Sequence, residues 1–258
     1  MEPYEFVLKA VTDAGALLLD ARTREFGVSI KNNNPKDIVT TIDTKINEFL
    51  IQSVRAAFPD HSIYSEEGGD VSSESEYQWV IDPIDGSSNF SRGIPHFAVC
   101  MGLIQKGVPV LGAILNPVTK ELFSFEKGKG AFLNGAPIHV SSIQSLADSH
   151  VFLHAGRKEE LQSWGGESYR KLLGAAKKTS NLASSSLDAC FVAAGRIEAN
   201  IYGTLSTLDI APALGLLAEA GGVMSDREGS VLAFSREPHM VFMANNPKML
   251  EDVRTLLA

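Results

Sequence analysis

Cysteine is scarce: Cys100 and Cys190 are the only two thiols in 258 residues. Both stand in apolar runs, so they read as core thiols of a reduced compartment and exclude a disulfide framework. Positive charge is also short. Lys and Arg total 23 against 31 Asp and Glu, a formal net charge of -8, which argues against a general binder of nucleic acid or anionic membrane. No apolar run approaches transmembrane length, and Met1-Glu2-Pro3-Tyr4-Glu5 lacks the basic start of a signal peptide. These absences predict a cytoplasmic protein with neither a nucleic-acid nor a membrane partner. A Ser-His-Asp or Cys-His constellation is missing too. What remains is ordinary for a globular protein: 44% hydrophobic and 21% charged residues, enough chain for one large domain or two subdomains.

The most informative stretch is Trp79-Val80-Ile81-Asp82-Pro83-Ile84-Asp85-Gly86-Ser87-Ser88-Asn89-Phe90. Trp79, Val80 and Ile81 suit a buried strand, and Pro83 is expected to end it, having no N–H for a ladder. A strand that turns hard there points Asp82, Asp85 and the Ile84 carbonyl into one small space. Gly86-Ser87-Ser88 then offers bare amides and hydroxyls, a composition fit to open a short helix around a phosphate. Hard oxygen donors beside an anion cradle point to Mg²⁺ and phosphoryl chemistry. Read alone, the same residues also make an ordinary turn, since Asp-Pro and Asp-Gly are common turn dipeptides.

Taken in order, the chain predicts an amphipathic helix over about 3–21, a short strand from Phe26 to Ile30 and a polar loop from Lys31 to Lys36. Asp37-Ile38-Val39-Thr40-Thr41-Ile42-Asp43 leads into a second helix, where capping and dipole complementation account for Asp37, Thr40 and Asp43. Ser62–Ser65 reads as a strand delivering Glu66-Glu67 to a loop edge, and His61 as a helix-end histidine. Strands at 97–104, 108–115 and 121–125, with turns between, predict antiparallel sheet. Lys127 and Lys129 belong to the exposed tip of a hairpin, ahead of an Asn134-Gly135 turn. Ile143 to Ser149 reads as a linker, giving an N-terminal α+β subdomain over 1–142 and a C-terminal α/β subdomain over 143–258. The second half alternates strand and helix: strand 151–154, a helix over 158–176 that Gly165-Gly166 threatens to interrupt, a brief strand, helix 185–194 and strand 197–202. Asp209 then stands at a helix N-cap, strands follow at 223–224, 231–234 and 240–244, and a last helix covers 247–257.

Four segments, Asp37 to Asp43, Ser65-Glu66-Glu67, Trp79 to Phe90, and Leu208-Asp209-Ile210-Ala211 with Glu219-Ala220-Gly221-Gly222, resemble in order and spacing the inositol monophosphatase family of Mg²⁺-dependent, lithium-sensitive phosphatases. The resemblance implies an α+β fold, a layered αβαβα sandwich assembled as a homodimer. It implies that Glu66, Asp82, Asp85, Asp209 and the Ile84 carbonyl hold two or three Mg²⁺ ions. It further implies that Ser87, where threonine is usual, orients the attacking water with Asp43, with Glu66 also in the catalytic set, and that the Gly86, Ser87 and Ser88 amides hold the phosphate. On the substrate side, Ser184, Ser185 and Tyr202 are the expected contacts. Here the chain departs from the family pattern: Leu208 replaces a common tryptophan, and no acid stands near Tyr202 where inositol-handling members carry a glutamate. The expected activity is hydrolysis of a small sugar or polyol phosphate, inositol-1-phosphate first. Fructose 1,6-bisphosphate, histidinol phosphate and a nucleotide 3′-phosphate are the alternatives, and a non-catalytic metal- or phosphate-binding relative is the alternative of another class.

Overall fold

The computed structural model describes residues 1–22, 28–30, 38–156, 158–232 and 234–258. Phe26, the loop from Lys31 to Lys36, and Asp37 therefore lie outside the described residues. The elements follow in the order α1 (Pro3–Arg22), β1 (Val28–Ile30), β2 (Ile38–Thr40), α2 (Thr41–Ala57), β3 (Ser62–Ser65), β4 (Tyr77–Asp85), α3 (Ser87–Ser91), β5 (Ala98–Gln105), β6 (Val108–Asn116), β7 (Glu121–Glu126), β8 (Gly130–Leu133) and β9 (Ala136–Ile138). Then come β10 (His150–His154), α4 (Glu159–Ala175), β11 (Lys178–Ser180), α5 (Ser185–Ala193), β12 (Ala199–Leu205), α6 (Ala211–Glu219), β13 (Val223–Ser225), β14 (His239–Ala244) and α7 (Pro247–Leu257).

Two sheets organise these elements. Seven strands run in the order β3-β4-β5-β6-β7-β8-β9 and five in the order β11-β10-β12-β14-β13, with β1 and β2 forming a separate pair. In the large sheet only β3 and β4 are parallel, and the rest is an antiparallel meander. In the small sheet β10 runs parallel to β11 and β12, while β14 is antiparallel to β12 and β13.

Alternation along the central strands sends side chains to two different cores. Ile81, Val99, Met101 and Ala113 pack with Val7, Val11, Leu18, Ile46 and Leu50 of α1 and α2. Cys100, Ile114, Phe123 and Phe125 pack on the other face with Cys190, Val192, Leu214 and Leu217 of α5 and α6, which also cover Phe152, Val241 and Met243 of the small sheet. The far face of that sheet carries Leu153, Ile201 and Phe242 against Leu172 of α4 and Val253 of α7. The layers are thus helix, sheet, helix, sheet, helix, as expected. Both thiols are fully buried. Among the described residues no helix is long and apolar enough to cross a membrane.

Several expectations need correcting. Pro83 does not end its strand: β4 continues to Asp85, with the register shifting between Asp82 and Asp85, a bulge that takes the missing N–H out of the ladder. Gly165-Gly166 does not interrupt α4, which runs unbroken from Glu159 to Ala175; Gly165 is where it meets Ala155, with no room there for a Cβ. Val231, Leu232 and Phe234 lie in no strand, with Val231 93% exposed; β14 takes its partners from β12 and β13 and offers a further strand no edge.

Candidate active site

The bulge in β4 brings the acids together. Asp82 and Asp85 are 4% and 6% exposed. An Asp82 carboxylate oxygen accepts the Ile84 N–H at 3.0 Å, which folds the Pro83-Ile84 step over it as a local Asx-type turn. Gly86 follows at φ +90°, where a Cβ would stand 3.1 Å from the His96 carbonyl oxygen and 3.3 Å from Ser184 Cβ. No other residue fits that turn without strain.

Gly86 opens α3, a five-residue helix whose N-cap makes no side-chain hydrogen bond. Its first amides, those of Ser87 and Ser88, have no partner within the helix. Ser87 does not cap the helix. Its Oγ lies 2.9 Å from the Ile84 carbonyl oxygen and 3.2 Å from Asp43 Oδ1. A hydroxyl has one proton, so a ligand that takes the Ile84 oxygen commits that proton to Asp43. Asp43 sits in the first turn of α2, where its charge complements the helix dipole, and is fully buried with Ser87, 44 residues away, donating to it.

Asp85 is held from the other side of the molecule. Its carboxylate accepts from Ser184 Oγ at 2.5 Å, the Ser185 N–H at 3.0 Å, Ser185 Oγ at 2.8 Å and the Ser186 N–H at 2.9 Å. These donors form the N-terminal turn of α5, so Asp85 is the anion at that helix end. The segment is fixed in turn by Asn89, whose Nδ2 donates to Leu182 and His96 carbonyls, each at 2.8 Å. Between them Ala183 adopts φ +59°, a left-handed conformation that an alanine keeps only when its surroundings impose it. Tyr202, beneath this segment, is buried, and its hydroxyl donates to Asp188 at 2.8 Å, while His96 Nε2 meets the other Asp188 oxygen at 2.9 Å. The Tyr202 hydroxyl is therefore spent inside the molecule, and Ser184 and Ser185 face Asp85.

Asp209 precedes α6 without capping it, since Ile210 is the N-cap residue. Its Oδ1 accepts the Tyr64 hydroxyl at 2.5 Å. Burial, then this contact, pushes the Tyr64 hydroxyl far above its ordinary pKa. Glu66, just past β3, is exposed and Glu67 half-buried. The consequence falls on Asp82, whose carboxyl is held well above the usual range, first by burial and then by the negative charges of Glu66, Asp85, Asp209 and Glu67.

A buried carboxylate ringed by four others, with a backbone carbonyl beside it, is a donor set of hard oxygens suited to Mg²⁺ or Ca²⁺ rather than to soft metals. As the side chains stand, no three His, Cys, Asp or Glu groups among the described residues converge closely enough to share one ion. Asp85 accepts four hydrogen bonds from the serine segment, and one oxygen of Asp209 is engaged by Tyr64. The chemistry of the set, hard carboxylate oxygens beside a backbone carbonyl, fits a divalent metal.

Sequence reasoning named Asp43, Glu66, Asp82, Ile84, Asp85, Gly86, Ser87, Ser88 and Asp209. It missed the hold of Asn89 on residues 182–183, the Tyr64 hydroxyl, and the buried His96–Asp188–Tyr202 set. Asn89 stood in the quoted motif, but nothing in the sequence says which carbonyls its amide reaches.

Residues 2–257 match the sequence model of the inositol monophosphatase family. The chain belongs to that family. Its members are phosphoric monoester hydrolases, and this chain is one in class. Among its relatives is the Nus factor SuhB of Pseudomonas aeruginosa, 35% identical, covering 100% of this chain and 96% of the relative. The fructose-1,6-bisphosphatase/inositol-1-monophosphatase of Thermotoga maritima is 32% identical, covering 92% and 90%. Of solved structures, the extragenic suppressor protein suhB of Bartonella henselae superposes with a TM-score of 0.91 at 27% identity, over 98% of this chain and 97% of that one. Members of this family share the α+β architecture described above.

Proposed function

We propose that the protein hydrolyses a small sugar or polyol phosphate, inositol-1-phosphate first among them, to the free alcohol and inorganic phosphate with Mg²⁺ as cofactor. The observation that carries this reading is the contact of Ser87 with both Asp43 and the Ile84 carbonyl, at the rim of the acid cluster. In this reading Glu66, Asp82, Asp85, Asp209 and the Ile84 carbonyl hold the metal, which when bound neutralises the phosphoryl oxygens and makes water more acidic. The Gly86, Ser87 and Ser88 amides receive the phosphate. Ser87 Oγ, its own proton given to Asp43, accepts a hydrogen from the incoming water and so turns a water lone pair toward phosphorus. Asp43, buried and fixed in α2, is the sink for that proton. Ser184 and Ser185 shape the alcohol side through their hold on Asp85, with Tyr202 closing the wall behind them.

Fructose 1,6-bisphosphate is the second substrate to compare, because the Thermotoga relative carries both activities in its name. The proposal also includes a homodimer, a cytoplasmic location, a division into subdomains at 142/143 and no nucleic-acid partner. The name Nus factor, borne by several relatives, makes an RNA-binding titration the check on the last of these. For the activity itself, phosphate release is measured from inositol-1-phosphate, fructose 1,6-bisphosphate, histidinol phosphate and a nucleoside 3′-phosphate, with Mg²⁺ and with EDTA. Inositol-1-phosphate is expected to give the highest kcat/KM, and EDTA to abolish turnover. Undiminished hydrolysis by the metal-free protein would overturn the metal assignment, and a higher kcat/KM for another ester would replace the substrate.

A further inference from the structure

Arg236 is an exposed cation beside a cluster of acids, in a chain with excess negative charge. It lies on the segment after α6 and β13 and belongs to none of the groups placed in the chemistry above. Its contacts run in two directions. One Nη donates to Asp70 Oδ2, and the other oxygen of Asp70 accepts the Ser65 N–H at 3.1 Å. Ser65 ends β3 and Glu66 follows it, so through Asp70 the guanidinium grips the turn that presents Glu66. The guanidinium also lies 4.2 Å from the centroid of the Tyr64 ring, a cation–π distance, and the Tyr64 hydroxyl is the group on Asp209. The backbone beneath Arg236 is tied to the same place: the Ser235 carbonyl accepts the Leu208 N–H at 3.1 Å, and the Ser235 N–H donates to Thr207 Oγ1 at 2.9 Å.

Glu66 and Asp209 stand on chain segments more than 140 residues apart, and both press on the charge of buried Asp82. Nothing local in the sequence fixes the distance between them. We infer that Arg236 is a positioning residue, a clasp that sets the spacing of the Glu66 turn against the Asp209 segment and so preorganises the two outer ligands of the divalent-cation site. The inference rests on the reading that these acids hold Mg²⁺. It differs from a simple effect of charge in sign. A guanidinium acting only through its charge repels an incoming cation, so removing it tightens Mg²⁺, whereas removing the Asp70 carboxylate weakens it. A clasp is broken by either change, and breaking it twice costs no more than breaking it once.

The test uses the full chain, stripped of metal, as wild type, Arg236→Ala, Asp70→Asn and the double variant. Both side chains are exposed, and thermal melts confirm that each variant is folded. Mg²⁺ affinity is read by calorimetric titration, and hydrogen exchange is followed over residues 62–71 and 205–210 in the metal-free state. Each single variant is expected to bind Mg²⁺ about fivefold more weakly, the scale of a well-formed exposed ion pair. The double variant should match the singles, and exchange should quicken in both segments. Tighter binding by Arg236→Ala with weaker binding by Asp70→Asn would overturn the clasp in favour of charge alone. Unchanged affinity and exchange would leave a surface ion pair. Unchanged affinity with a raised KM confined to bisphosphate substrates would make Arg236 a substrate contact instead. If wild type binds no Mg²⁺, the metal reading fails by itself, and unchanged exchange would then sink the clasp as well.

Discussion

Ser87 is the residue on which the chemistry turns. Its hydroxyl touches buried Asp43 and the buried Ile84 carbonyl and no helix amide, so its removal takes a donor from two buried acceptors, at a cost of about 1–3 kcal/mol. Ser87→Ala is expected to lower kcat and kcat/KM together, by roughly 10²-fold, as loss of a group acting in the transition state does. The thermal midpoint should fall by only a few degrees. Single-turnover hydrolysis beside a melt checks both, and a less stable variant with unchanged hydrolysis would return Ser87 to a structural role. His61 illustrates the opposite case, a titratable group outside the site. It accepts the Trp79 indole N–H at 3.1 Å and stacks between Phe58 and Tyr77, and burial lowers its pKa below the ordinary 6.5 despite Asp60 nearby. The unfolded chain therefore takes up this proton first as pH falls below 6.5, and stability drops until the lowered native pKa is passed. Melting temperatures between pH 5 and 8 should fall less steeply on acidification for His61→Gln than for wild type.

Among the elements, the turn from Leu182 to Ser186 is the one that makes Asp85 what it is. Asn89 holds it through carbonyls on two sides, and Ala183 stays left-handed only under that hold. Asn89→Ala takes the donor from the buried His96 carbonyl and the part-buried Leu182 carbonyl, at a cost of about 1–3 kcal/mol. It should also loosen Asp85, so lower thermal stability is expected together with a higher Mg²⁺ requirement; a loss of stability alone, with the metal requirement unmoved, would separate the turn from the site. At this scale the sequence was readable where a signal is contiguous. Helix α7 and strand β3 fall on their predicted bounds, because amphipathic period and turn residues are local. Strand β4 ran past its expected end because a bulge is a property of pairing with β5, invisible in β4 alone. The contact of Tyr64 with Asp209 spans 145 residues and that of Arg236 with Asp70 spans 166, and no pattern within a window predicts either. The acids themselves could be named from the chain; the groups that hold them could not.

For the molecule as a whole, the dominant fact is a buried acid, Asp82, with like charge gathered around it. Burial and the neighbouring carboxylates make an ionised Asp82 oppose the metal-free fold, and a cation that binds the folded state alone stabilises it. At Mg²⁺ concentrations about a hundredfold above Kd, the melting temperature should rise roughly 5–10 °C over that in EDTA. Asp82→Asn removes a crowded charge, so without metal it should melt higher than wild type, and adding Mg²⁺ should move it little. A wild-type melt indifferent to Mg²⁺ would count against any binding at these acids.

The layering of the two sheets has a consequence for how the molecule is made. Asp43, Glu66, Asp82, Asp85 and Ser87 all leave the ribosome before Ser184–Ser186, Asp209 and Arg236 have been translated. A nascent chain that has completed the large sheet thus carries most of the reactive acids without the donors that satisfy Asp85 and without Asp209, the acceptor of the Tyr64 hydroxyl. Its apolar face, Cys100, Ile114, Phe123 and Phe125 included, still waits for α5 and α6. Such an intermediate has a sticky surface and no competent centre, so the half-made protein is a client for chaperones before it is an enzyme.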